Sequence, residues 1–175
     1  MEEKTRSTTV HGMYYGLITG LAIVIFSLIL FISDLYQNQW INSIGYLFLI
    51  AGMVYGALEY RKKYNHGLMT YGKAFSSCFM TGLFAGLVVA IYMYVFAQYI
   101  HPGFAQEILE KSREKLMTQH PDMPDDQVEI AMQWTAKFTT PLMMMIWGFV
   151  AYVFFTVIIG LIASIFLKKE ESVGV

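Results

Sequence analysis

Residues 12–33 read GMYYGLITGLAIVIFSLILFIS, with no Asp, Glu, Lys or Arg among them. A helix needs about 20 apolar residues to cross a bilayer core about 30 Å thick, so the stretch is long enough to span. Its centre, Leu21-Ala22-Ile23-Val24-Ile25-Phe26, is continuously apolar. A strand of a membrane β-barrel would alternate instead, which excludes the other fold that satisfies backbone groups in lipid. The run also exceeds the roughly 7–15 residues of a signal-peptide core, and Ser33-Asp34-Leu35-Tyr36 offers no small-residue cleavage site. The expectation is a retained first span.

Three more charge-free stretches follow, Leu35–Leu58, Ala74–Ile100 and Phe138–Leu167. They predict an all-α polytopic membrane protein forming one membrane domain over 1–175, with spans at 12–33, 41–60, 75–99 and 141–167. The bulk numbers agree: 56% of residues are hydrophobic and 14% charged. Soluble domains run near 45–50% and about 25%. A soluble fold and a disordered tail are excluded. The single cysteine, Cys78, excludes an intrachain disulfide, and its apolar setting makes it a packing residue. A net charge of −1 provides no footprint for nucleic acid, so no nucleic-acid partner is expected.

Basic residues set the orientation, because cytoplasmic loops collect Lys and Arg. With four spans both ends share a side. That side holds Lys4, Arg6, Arg61, Lys62, Lys63, Lys73, Lys168 and Lys169; the other holds Lys111, Arg113, Lys115 and Lys137. The prediction is that both termini are cytoplasmic. Glu59 precedes the basic run at 61–63 and is expected to pair with it at headgroup level.

The connection between spans three and four is too long for a bare loop. It predicts an extracytoplasmic amphipathic helical hairpin over 103–138. Ala105, Ile108, Leu109, Ser112 and Leu116 share one helix face, and Glu107 stands four residues before Lys111. His120-Pro121-Asp122-Met123-Pro124 breaks the helix. A second begins near Asp125, with acids at its start and Lys137 near its end. Its apolar face is read as Val128, Ala131, Met132, Thr135 and Phe138. These stripes must cover each other, the leaflet or a partner. If a partner, the face is Ile108, Leu109, Leu116, Val128 and Met132.

Small residues recur four apart: Gly12, Gly16 and Gly20; Gly52 and Gly56; Gly82 and Gly86; Gly160 and Ser164. Such spacing lets helix backbones approach closely in lipid. The first reading is packing of the four spans on each other; homo-oligomerisation through span one is the alternative. Thr19-Gly20-Leu21 recurs as Thr81-Gly82-Leu83, a match short enough for chance.

Chemistry-bearing groups are sparse. Ionisable residues inside a span are the usual sign of a functional site, and here Asp34 and Glu59 stand only at span ends. His11 and His66 fall on the predicted cytoplasmic side and His101 and His120 outside, each read as a solvated interfacial side chain. No metal-binding spacing, phosphate loop or nucleophile elbow is present in the sequence. No catalytic residue, no cofactor and no metal is assigned, and no enzyme is expected.

Asn65-His66-Gly67-Leu68-Met69-Thr70-Tyr71-Gly72-Lys73-Ala74-Phe75 leads into Thr81-Gly82. Ile100-His101-Pro102 follows, then Gly160-Leu161-Ile162-Ala163 before Lys168-Lys169. In order and spacing, over nearly the whole chain, these motifs resemble the bacterial membrane family catalogued as domain of unknown function 4199. The resemblance implies a four-span protein of the bacterial cytoplasmic (inner) membrane with an outer helical segment. It brings no activity and no functional residues. In the Gly67–Phe75 stretch, Gly67 is expected to end the basic segment, Gly72 to turn the backbone just before span three, and Lys73 to reach the headgroups. The expected function is a non-catalytic membrane subunit or scaffold that binds another membrane or envelope protein. The alternative is a binder or transporter of lipid or a small apolar solute.

Overall fold

The computed structural model describes residues 7–169, and of Gln39 only the backbone. Lys4 and Arg6 lie outside the described residues. Seven α-helices follow in order: α1 (Thr8–Ile32), α2 (Gln39–Asn42), α3 (Ile44–Tyr64), α4 (Tyr71–Val95), α5 (Phe104–Gln119), α6 (Asp125–Phe138) and α7 (Pro141–Leu167). A π-helical turn, Phe96–Ile100, continues α4. Among the described residues, four helical stretches are long and apolar enough to cross a membrane: Thr8–Ile32, Trp40–Tyr64, Tyr71–Ile100 and Pro141–Leu167. The protein is an all-α, multi-pass membrane protein.

Local chemistry sets the helix ends. Ser7 caps α1, its hydroxyl accepting from the Thr9 amide at 3.3 Å. That cap moves the start four residues ahead of the expected Gly12. α3 runs through Arg61, Lys62 and Lys63, past the expected end at Tyr60. These are good helix formers, and their charge suits a helix C-terminus. The chain turns after α3 at Gly67, whose φ is 82°. Gly72 does not turn it, but sits in the first turn of α4. α7 begins at Pro141, and the Thr140 hydroxyl accepts from the Met143 amide at 3.4 Å. Proline is tolerated there because a first-turn amide has no helical partner.

The chain divides into two compact units, Ala90–Phe149 and the residues on either side of it. The flanking unit is a bundle of α1, α3, most of α4 and the second part of α7. Its interior combines large apolar side chains such as Leu49 and Met53 with small and weakly polar ones: Thr19, Ser77, Cys78, Thr81, Ala85, Thr156 and Ser164 are buried. Its outside is large and apolar, as in the α1 stripe Leu17, Leu21, Ile25 and Ile29. A water-soluble bundle would carry polar side chains on that outside. In lipid, small residues inside let backbones close together while large apolar ones meet acyl chains.

The glycines show how close the helices come. A methyl at Gly16 would fall 2.6 Å from both Phe84 Cβ and the Thr81 carbonyl oxygen of α4, and Gly12 and Gly20 meet Met80 and Val88 of that helix. Gly52 of α3 faces the Thr19 side chain, and Gly56 faces Thr81. Gly82 meets Thr156, Gly86 meets Tyr152, and Gly160 meets Phe75. Each of these eight glycines is therefore seated against another helix of the same chain.

The second unit holds the π-helical turn and the α5–α6 hairpin. The turn closes with the His101 amide donating to the Phe96 carbonyl at 2.8 Å, a five-residue step. α5 and α6 pack against each other.

Candidate functional site

Ala105, Ile108, Leu109, Ser112 and Leu116 are the half-buried face of α5. On α6, Val128 is buried and Ala131, Met132 and Thr135 are half-buried. The five residues named as a partner face, Ile108, Leu109, Leu116, Val128 and Met132, thus lie on the inner side of the hairpin. Phe138 does not join them, being 50% exposed. A helix turns about 100° per residue, so ten positions after Val128 leave Phe138 some 80° off that stripe.

α6 carries a second apolar face, which the sequence reading passed over. Ile130 and Trp134 are 55% and 57% exposed, and with Phe138 they stand four apart on one side of the helix. Lys137 Nζ lies 4.5 Å from the centroid of the Trp134 ring, a cation–π contact. Phe138 meets the edge of Trp147 with ring centroids 6.2 Å apart. The signal was available: 130, 134 and 138 keep helical spacing as well as 128, 131, 132 and 135 do.

At the start of α5, His101 Nε2 and Glu107 Oε1 are 2.7 Å apart. This ties the end of the π-helical turn to the first turn of α5. The sequence reading gave Glu107 only Lys111 as a partner. The acid also suits the positive helix N-terminus.

In the bundle, one end gathers most of the polar contacts. His11 is buried, not solvated as expected. Its Nε2 lies 2.9 Å from the Gly56 carbonyl oxygen, and the rings of Tyr15, Tyr60 and Tyr64 surround it with centroids 4.6, 5.3 and 5.6 Å away. Glu59 pairs with Lys63 at 2.8 Å, as its neighbours foretold. The Thr8 and Ser76 hydroxyls are 3.3 Å apart. Lys73 donates to Asn65 Oδ1 at 3.4 Å. Arg61 Nη1 donates to the Leu167 carbonyl at 3.1 Å, while its Nε is buried with no hydrogen-bond partner. Met69 and Lys169 exchange two backbone hydrogen bonds of 2.7 and 2.8 Å. The beginning of α1, the end of α3, the beginning of α4 and the end of α7 therefore meet at one end.

Beside Leu167 runs a groove of about 360 Å³ between α3 and α7. Ile50 and Val54 line one wall; Ile159, Ile162, Ala163, Phe166 and Leu167 line the other. All seven side chains are apolar. Among the described residues, no three His, Cys, Asp or Glu side chains gather as a metal site would require.

The family model described as "Protein of unknown function (DUF4199)" matches residues 14–169. The chain belongs to this family. Neither the curated proteins nor the solved structures yielded a match.

Proposed function

We propose that this member of the family is a non-catalytic subunit of a bacterial cytoplasmic membrane, which holds its α5–α6 hairpin outside to bind another membrane or envelope protein. The carrying observation is the second apolar face of α6, Ile130, Trp134 and Phe138. The opposite face already packs in the hairpin; on this one Phe138 meets Trp147, while Ile130 and Trp134 stay more than half exposed. Exposed aromatic clusters of this kind mark binding surfaces, and Trp is prominent among residues that dominate interface energy. Cytoplasmic termini are supported by the Lys and Arg distribution. The bundle glycines contribute the frame; they are already engaged within the chain.

Gentle extraction from the native membrane, followed by mass spectrometry of what co-purifies, tests the reading. A stoichiometric protein partner lost in Ile130→Glu and Trp134→Glu, with the fold intact, supports it. A protein that stays alone contradicts it. The second reading is a binder or carrier of lipid or a small apolar solute, favoured by the groove between α3 and α7. Solute flux in liposomes, or a lipid retained through purification, would support that reading.

A further inference from the structure

We infer that the α3–α7 groove is a binding site for one anionic glycerophospholipid, with an acyl chain along the groove and its headgroup at Arg61, Lys168 and Lys169. The inference rests on the groove-binding reading above and names its ligand. Three observations converge on one end of the groove. First, the walls are wholly apolar, and the volume of about 360 Å³ lies within the range of about 300–1,000 Å³ usual for ligand pockets. An acyl chain suits such walls and a polar solute does not.

Second, the groove ends in positive charge. From Ile159 to Leu167 its α7 wall runs about 12 Å along the helix at 1.5 Å per residue. Leu167 is both the last lining residue and the acceptor of the Arg61 Nη1 bond. The guanidinium is thereby fixed beside the groove mouth. Lys168 and Lys169 follow at once and are exposed. The paired backbone of Met69 and Lys169 holds that segment in place. Lys62 adds to the same end, where Lys63 is paired with the acid Glu59. Glu170 and Glu171 lie outside the described residues.

Third, Arg61 has donors to spare. The Leu167 carbonyl takes one of the five N–H groups of a guanidinium, and the buried Nε has no acceptor. A headgroup phosphate supplies several acceptor oxygens, and Arg binds phosphate in fork geometry. The site thus pairs an acyl slot with a phosphate clamp one helix end away.

The test uses the full chain in neutral detergent, with phosphatidylglycerol or phosphatidylcholine of identical acyl chains added and bound lipid counted by native mass spectrometry. The expected result is one phosphatidylglycerol held at least about tenfold more tightly than phosphatidylcholine, the scale expected of two or three basic side chains near one anionic headgroup. Arg61→Gln with Lys168→Gln and Lys169→Gln should abolish the preference. Ala163→Leu, which fills the slot without touching the charges, should displace the lipid; thermal melting confirms that each variant folds. Equal retention of both lipids, lost in Ala163→Leu, would overturn the anionic assignment while leaving the groove-binding reading standing. Retention of neither lipid would overturn both. So would a dimer whose interface contains Ile162, since a second copy would then fill the groove.

Discussion

The Thr19 side chain occupies the notch that Gly52 leaves open on the facing helix. Thr81 does the same at Gly56, one turn further along α3. The short repeat Thr19-Gly20-Leu21 and Thr81-Gly82-Leu83 so acquires a physical meaning: each copy sends its threonine into one of two successive notches. Each copy's glycine is used too, Gly20 against Val88 and Gly82 against Thr156. Gly52→Leu should therefore destabilise the bundle by ~1–3 kcal/mol or more, the usual scale of overpacking. Gly148→Ala, where an added methyl meets nothing within 4 Å, should be neutral or stabilising by up to about 1 kcal/mol. Thermal or denaturant unfolding in detergent reads both.

His11 and Gly56 stand 45 residues apart in sequence and are joined by a buried hydrogen bond. His11→Leu removes it and the packing among the three tyrosine rings. A loss of about 1–3 kcal/mol is expected in the same unfolding measurement. His120→Ala, at an exposed position after α5, should change little. Equal melting of the two variants would refute a structural role for His11.

Inner and outer faces of the hairpin should respond differently to charge. Leu109→Asp places a carboxylate between α5 and α6 and should cost ~1–3 kcal/mol, seen as faster hydrogen exchange across both helices. Ile130→Asp should leave exchange in the hairpin unchanged, because its side chain is already exposed. Matching exchange profiles would mean that the two faces are not distinct.

The contact between His101 and Glu107 predicts a local effect. Glu107→Gln weakens a charge-assisted bond and the acid's interaction with the α5 N-terminus. Amide exchange should accelerate in residues 101–108 while the bundle is untouched. Uniform protection would show that the pair does not hold that turn.

The sequence made some of this legible and hid the rest. Hydropathy located four spans, and Pro141 marked the start of α7 to the residue. Helical periodicity found the inner faces of α5 and α6, because burial on one side follows the 3.6-residue repeat. It went astray at Phe138, where a stripe was followed one step too far, and stopped before asking whether Ile130 and Trp134 formed a second. Glycine spacing announced close helix packing but could not assign partners. Gly16 and Phe84, or Arg61 and the Leu167 carbonyl, are neighbours only once the helices are docked. His11 was misjudged for the same reason: its acceptor is a backbone oxygen on another helix, for which no local pattern exists.

The most direct test of the proposed partner-binding role is photo-crosslinking in living cells, with a benzophenone amino acid placed at position 134 and, as control, at position 109. The account predicts one discrete protein adduct from position 134 and none from position 109, which points into the hairpin. Lipid adducts alone from position 134, or the same protein adduct from both positions, would contradict it.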